Sequence, residues 1–438
     1  MEQLYQIFRQ HPRITTDSRQ VQPGDLFFAL RGDTFDGNQF AAQALEKGAA
    51  FAVVDRPEVA TTPQYLLVQD TLTALQQLAL HHRRRFHIPV IAVCGSNGKT
   101  TTKDLLSSIL EGHYPTHYTR GNFNNHIGVP LTILAMPERT EVAVLEIGAN
   151  RQGEIDFLCH IAEPTHGLIT NIGKEHLEGF GGLEGVKQGE SELYRFLAAH
   201  HGMAFINRDE PFLKELAEPL NKKLFYGLSD NLSDNGSWYG VQLLATQPFV
   251  KVAFRSERDA IVEVQSNLVG KYNFANIMTA IVLGLYFKVP AHKIKSAIET
   301  WQPQHNRSQL LHRGSNTFLM DAYNANPSSM EQAIISFADM DTNGQKIAIL
   351  GDMLELGDAT PTEHDYIAQL AVQQHFTQTV LVGKAFALSA QRYGLLHFQN
   401  VDTLRAWFEE QDFTDTAFLL KGSRGIGLER MLVAATAH

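Results

Sequence analysis

Two cysteines in 438 residues, Cys94 and Cys159, are too few for a disulfide framework, and neither stands in a Cys-x-x-Cys pair that would hold zinc. A reducing compartment follows. Long apolar runs are lacking too. The longest, around 275–287, is too short and interrupted to span a bilayer, and the start Met1-Glu2-Gln3-Leu4 has neither the basic nor the apolar region of a signal peptide. Basic charge is in deficit, with 37 Lys and Arg against 47 Asp and Glu and a net charge of −10, which argues against non-specific nucleic-acid binding through a basic face. Charged residues make up only 19% against 44% apolar, which excludes a disordered chain. The expectation is a soluble cytoplasmic protein of about three domains, with no nucleic-acid partner and no membrane insertion. An anionic substrate stays open, because a local cluster of amides, Lys and Arg outweighs a global sign.

What is present is a change of pattern along the chain. The first stretch mixes a short helix with strand-like pieces at 25–30 and 50–54, separated by the turn signals Pro23-Gly24 and Asp36-Gly37-Asn38. It ends in the basic run His81-His82-Arg83-Arg84-Arg85, read as a solvated linker rather than a phosphate patch. From Pro89, apolar strands at about 89–94, 142–147, 166–171 and 203–206 alternate with helical periods, the signature of a parallel sheet. Between about 236 and 265 the period drops to two, suggesting an antiparallel appendage, and a helix from about Tyr272 to Phe287 follows. After Trp301-Gln-Pro303, strands at 317–322, 346–350, 378–382 and 417–421 alternate with helices near 328–338, 362–374, 402–410 and 426–435. The fold class is therefore α/β in three domains: a small α/β amino-terminal domain (1–84), a central P-loop parallel-sheet ATPase domain (85–303) and a carboxyl-terminal Rossmann-like doubly wound domain (304–438).

The chemistry-bearing segment is Ile91-Ala-Val-Cys-Gly-Ser-Asn-Gly-Lys-Thr-Thr-Thr102, a glycine-rich turn between an apolar strand and a helix. There, successive backbone N–H groups and a helix N-terminus can cradle phosphate oxygens. Gly95, Ser96, Asn97, Gly98 and Thr101 would form the cradle, with Lys99 on the β/γ phosphates and Thr100 on Mg²⁺. Val93 stands where the general spacing wants its first glycine, so this is a shorter Gly-x-x-Gly-Lys-Thr form. Mg²⁺ needs further ligands. Glu146, closing a strand before Gly148-Ala-Asn150, and His176, after Thr170-Asn-Ile-Gly173, lie at the same carboxyl edge of the sheet.

These segments, together with Thr16-Asp-Ser-Arg19, Pro23 to Leu30 and Gly121-Asn-Phe-Asn-Asn125, resemble in order the Mur ligases of peptidoglycan synthesis. Asp321-Ala-Tyr-Asn-Ala-Asn-Pro327, Gly351-Asp-Met-Leu-Glu-Leu-Gly357 and Lys421-Gly-Ser-Arg424 are similar to the dipeptide-adding member of that family. The resemblance implies ATP-dependent joining of D-alanyl-D-alanine to UDP-MurNAc-tripeptide through an acyl phosphate, in a cytoplasmic monomer using ATP and Mg²⁺. It further implies that Thr100 and Glu146 hold one Mg²⁺ and His176 a second, and that Asn273 and Asn276 contact adenine. In the same way Arg307 and Asp321 would reach the nucleotide from the third domain. Ser18 and Arg19 would meet the uridine-diphosphate end, Asn124 and Asn125 the substrate, and the third domain the dipeptide, with Asn324, Lys421 and Arg424 as candidates. Rival readings are a folylpolyglutamate-type or earlier Mur-type ligase, or a P-loop switch without chemistry.

One position departs from the family. Where members carry a carbamylated lysine that helps hold the second Mg²⁺, anchoring on Gly185-Val186 and Glu192-Leu193 places Glu190. At about 100° per residue Glu190 shares the face of Val186, Leu193 and Leu197, while Lys187 lies at its margin. The expectation is that Glu190 supplies the carboxylate directly, with a structural ion pair or a modified Lys187 as alternatives. The sequence names no general base for the attacking amine. Loops near 321–324, 351–353 and 422–424 are expected on one sheet edge that closes over the phosphate loop about a hinge near 302–305.

Overall fold

A computed structural model describes residues 1–232, 239–342 and 344–432. Three sheets organise the chain. The amino-terminal one is wholly parallel, in the order Ile14–Thr15, Leu26–Phe28, Phe51–Val54, Tyr65–Leu67. The helix Thr71–Arg83 follows, started by Asp70, whose carboxylate accepts from the Thr73 N–H at 2.7 Å. The run 81–85 is solvated only in part: Arg84 and Arg85 are exposed, but His82 and Arg83 are buried. Residues 81–83 are the last turn of this helix, and buried Arg83 donates to the carbonyls of Phe86, Ala162 and Glu163. A buried guanidinium needs acceptors for its N–H donors, and three carbonyls take one from each of its nitrogens.

The central sheet has nine strands: Ile261–Gln265, Lys251–Arg255, Tyr239–Ala245, Lys222–Leu228, Met203–Asn207, His166–Ile169, Val90–Cys94, Val142–Glu146 and Thr116–Tyr118. The period-two stretch is not a separate appendage. Tyr239–Ala245 runs parallel to Lys222–Leu228, and only the last two strands turn antiparallel within the same sheet. The expected start at 236–238 lies outside the described residues. Both faces are covered, so strands read as continuous apolar runs. Val90, Ala92 and Cys94 point into one core, whereas Ile91 and Val93 point into the other. The first core continues from Leu26 and Phe28 of the amino-terminal sheet through Leu75 and Leu78. The second lies under the helices Lys99–Glu111 and Asn273–Tyr286.

The carboxyl-terminal sheet is ordered Gln309–Arg313, Asn316–Asp321, Thr416–Lys421, Gln345–Gly351, Gln378–Val382, Leu396–Phe398. It is parallel apart from Gln309–Arg313, an antiparallel edge strand earlier in the chain than the pattern predicts. The expected helix 426–435 is two short 3₁₀ turns, Arg424–Ile426 and Leu428–Leu432, because Gly427 adopts the left-handed conformation (φ 73°) between them; 433–435 lie outside the described residues. At the end of the expected hinge and just beyond it, His305, Asn306 and Ser308 all have positive φ, a backbone conformation that is costly for side chains other than glycine.

Candidate active site

The strand Val90–Cys94 ends in the interior of its sheet, third from one edge, and the chain must turn sharply to begin the helix at Lys99. Gly95 and Gly98 make the turn at φ 115° and 81°. A Cβ on Gly95 would stand 2.3 Å from the Thr170 hydroxyl, and one on Gly98 2.3 Å from the Asn276 amide oxygen, so backbone and neighbours meet only because both residues lack side chains. The segment 170–173 braces the loop from behind. Asn171 accepts from the Asn97 N–H at 3.0 Å and donates to the Asn97 carbonyl at 2.9 Å, while the Gly173 N–H donates to Ser96 Oγ at 2.8 Å.

Above this loop lies a cleft of about 1040 Å³ lined from the central and third domains and from helix Thr71–Arg83. The Lys99 ammonium folds back on the Gly95 carbonyl, lies 3.3 Å from the Ser96 carbonyl and 3.4 Å from Glu175 Oε2. Burial opposes its charge, but Glu175, Glu190 and Glu146 together outweigh burial and raise its proton affinity. Glu146 is 2% exposed; one carboxylate oxygen accepts from Asn124 Nδ2 at 2.8 Å and the other has no partner. Glu175, 4% exposed, likewise keeps one oxygen without a hydrogen bond. Sequence reasoning missed Glu175; its signal was only its place beside His176.

Glu190 is buried to 1% exposure and does not line the cleft, so the direct contact expected of it is absent at the cleft surface. It lies one layer beneath, acting electrostatically on Lys99, Cys94 and Glu175. Burial first, then the Glu175 carboxylate, push its carboxyl well above the ordinary range. The helix it closes, Leu183–Glu190, breaks at Ser191 before Glu192–Ala199, yet Val186, Glu190, Leu193 and Leu197 are all buried. Lys187 points elsewhere: it pairs with Glu184 at 2.7 Å and lies over the Phe212 ring. His176, at φ 42°, lines the cleft and pairs through Nδ1 with Glu355 of the third domain. Among the described residues no three His, Cys, Asp or Glu side chains form a ready metal cage. The unpaired Glu146 and Glu175 oxygens are the donor type that Mg²⁺ requires, the rest of its shell coming from phosphate oxygens and water.

The third domain meets this loop directly. Asn326 caps the helix Pro327–Asp339 and sends its Nδ2 to Asn97 Oδ1 at 2.9 Å. Lys174 reaches Glu363 at 2.6 Å, and its N–H donates to Ser328. The three strand-end loops share one edge, tied together by Ser423, whose N–H donates to Asp352 O and whose hydroxyl donates to Ala325 O.

Other expected residues fall in several places. Asn273 and Asn276 are the first and fourth residues of their helix rather than its cap. Asn273 donates to Val269 O, Asn276 to Asn273, and Thr102 to Asn276, which locks this helix to the one bearing the phosphate loop. Asp321 accepts from the Ser308 N–H at 3.0 Å and pairs with Lys421 at 2.9 Å. Lys421 is buried and also donates to Asn324 O, so it is no free cation for a dipeptide. Asn324 Oδ1 accepts from the Ala325 N–H. Asn125 Oδ1 is taken up by the Ile127 and Gly128 N–H groups, a turn role, though the residue lines the cleft. Arg307 lines the cleft with its guanidinium 3.6 Å from the Tyr323 ring centre. Ser18 and Arg19 do not line it; Arg19 is held by Asp17 at 2.9 Å, and Ser18 O accepts from Lys47.

A braced glycine loop at the carboxyl edge of a parallel sheet, closed over by a second α/β sheet domain and rimmed by acidic groups, defines a nucleotide-dependent enzyme of the P-loop type. The chain belongs to the Mur ligase family. Residues 93–284 match the Mur ligase middle domain, 12–83 the Mur ligase family catalytic domain, and 306–424 the Mur ligase glutamate ligase domain. It is 35% identical over 439 residues to the UDP-N-acetylmuramoyl-tripeptide–D-alanyl-D-alanine ligase of Bacillus subtilis (strain 168), covering 96% of this chain and 92% of that one. The enzyme of the same name from Escherichia coli (strain K12) is 32% identical, covering 96% and 93%. A crystal structure of MurF from Acinetobacter baumannii superimposes with a TM-score of 0.84 at 31% identity, over 98% of this chain and 97% of that chain.

Proposed function

We propose that this chain is the ligase that joins D-alanyl-D-alanine to UDP-MurNAc-tripeptide with consumption of ATP, giving the pentapeptide precursor of peptidoglycan. A carboxylate does not acylate an amine in water. The tripeptide's terminal carboxylate oxygen therefore attacks the γ-phosphorus of ATP, ADP leaves, and the dipeptide amine attacks the acyl carbon, expelling phosphate. The observation that carries this reading is the direct meeting of the phosphate loop and the Asp321–Pro327 motif through Asn97 and Asn326, which encloses one cleft between the two domains. An enclosed cleft keeps water from the acyl phosphate.

In this reading the amino-terminal domain, 1–84, takes the uridine-diphosphate end, 85–303 holds the nucleotide and 304–438 brings the dipeptide. The backbone N–H groups of 95–101 hold the phosphates, and Lys99 leaves its own loop carbonyls to offset their charge. Thr100, Glu146 and His176 are the residues to hold Mg²⁺, which when bound supplies positive charge against the phosphate oxygens. Asn124, carried over as a substrate contact, acts here by orienting Glu146. Once it has given up its proton, Glu190 supplies from below the negative charge that a carbamate gives in other members, behind Glu175 at the cleft wall. The protein works as a monomer.

The test is mass spectrometry of a reaction with ATP, Mg²⁺, muropeptide and dipeptide, alongside phosphate release. Release stimulated by D-alanyl-D-alanine and not by single amino acids, with a product heavier by the dipeptide less water, is expected. Nucleotide binding without any lengthened peptide would refute the reading.

A further inference from the structure

Tyr323 has no part in the account above, although it sits in the middle of the Asp321–Pro327 motif. Its ring lines the cleft and has two guanidinium groups against it, that of Arg307 at 3.6 Å from the ring centre and that of Arg424 at 5.5 Å. Both distances fall within the range at which a cation is held by the ring quadrupole. Among the described residues neither guanidinium has an ion pair or a side-chain hydrogen bond, so the ring is the partner each has. Arg424 is exposed in the 3₁₀ turn that follows the strand Thr416–Lys421 and reaches the cleft through the Tyr323 ring rather than lining it, whereas Lys421, which ends the strand, is buried and consumed by Asp321 and the Asn324 carbonyl.

A guanidinium with its donor fork free beside a cleft is a receptor for an anion, and bidentate capture of a carboxylate or phosphate is what its geometry favours. The reaction brings two kinds of anion to this edge: the phosphates of the nucleotide and the terminal carboxylate of the incoming dipeptide. Arg307 is matched to the first. We propose that Tyr323 is a positioning residue whose ring holds both arginines, and that it presents Arg424 to the dipeptide's terminal carboxylate. This rests on reading the chain as a D-alanyl-D-alanine-adding ligase. Stacking fixes the guanidinium before the ligand arrives, so less side-chain freedom is lost on binding.

Steady-state kinetics with D-alanyl-D-alanine and with its neutral amide, D-alanyl-D-alaninamide, decide the matter. Arg424→Gln raises KM for the acid about tenfold or more, the loss of a charge-assisted hydrogen bond. At saturating ATP, Tyr323→Leu raises it about threefold to tenfold with kcat little changed. The double variant has a KM for the dipeptide no higher than Arg424→Gln alone, because towards this ligand the ring acts through Arg424. Tyr323→Phe, which keeps the ring, restores the wild-type KM, and with the amide all four variants share the KM of the wild type. Equal defects with acid and amide, an unchanged KM in Tyr323→Leu, or a Phe variant as impaired as Leu each overturn the proposal. Should Tyr323→Leu fail to fold, Arg424→Gln still decides by its acid-against-amide difference. A wild type that makes no product sinks the reaction itself, whereas unaffected variants beside an active wild type sink only this inference.

Discussion

Replacing Glu190 by glutamine separates the two things a buried carboxylate does, costing stability and supplying charge. Burial and the Glu175 carboxylate raise the Glu190 carboxyl from 4.5 to about 8, with Lys99 pulling the other way. The folded chain therefore holds a proton that the unfolded chain has released between these values. The stability this proton confers is full below pH 4.5 and drains away as pH rises through 8. At 1.36 kcal/mol per pH unit the raised carboxyl corresponds to at most roughly 5 kcal/mol, and we expect about 2–5 kcal/mol of relief above pH 8 when glutamine stands in for the neutral acid. Thermal unfolding in EDTA should show Glu190→Gln melting with the wild type near pH 5 and at least about 4 °C higher at pH 8.5. The same variant should lose ligase activity at least about tenfold at pH 8.5, where the wild-type carboxyl has given up its proton and supplies a charge behind Glu175 and Lys99 that glutamine lacks. Wild-type activity should not change when CO₂ and bicarbonate are removed. Equal melting temperatures at pH 8.5, or rescue of depleted enzyme by bicarbonate, would refute the reasoning.

Three further outcomes follow from the geometry. Lys187→Ala loses a pair with exposed Glu184 and a contact with the Phe212 ring, both away from the cleft, so its activity should stay within about twofold of wild type and its stability within about 1–2 kcal/mol; a bicarbonate-sensitive wild type silenced by this change would reverse the register. Gly98→Ala forces a side chain into φ 81° and drives a Cβ to 2.3 Å from Asn276 Oδ1, so calorimetry should show ADP affinity at least about tenfold weaker with the fold retained. Burial, followed by the Lys222 charge, lowers His166 to about 4 from 6.5, so the folded chain resists a proton that the unfolded chain accepts. Stability should be full above pH 6.5 and fall towards pH 4 by up to about 3 kcal/mol, and His166→Phe should flatten that part of the denaturation-against-pH curve.

The phosphate loop was legible because its requirement is local. A strand, two glycines and a helix start are neighbours in the chain, and the backbone geometry follows from residues that touch in sequence. The parallel sheets were legible for a similar reason, since strands covered on both faces read as unbroken apolar runs. Turns that depend on a distant partner were not. The basic run 81–85 looks like solvent-facing charge until Ala162 and Glu163 bring their carbonyls to Arg83.

Sequence alone determined the α/β class, the glycine loop and the family, and it raised the expectation that Glu190 stands at the place of the family's modified lysine. Only the tertiary structure decided that Glu190 lies a layer below the cleft behind Glu175, that Lys421 is spent on Asp321, and that Tyr323 gathers two arginines. Each of these is a meeting of side chains from separate strand ends. The free energy of such a meeting depends on burial and on the partner's charge, quantities that no single stretch of chain contains.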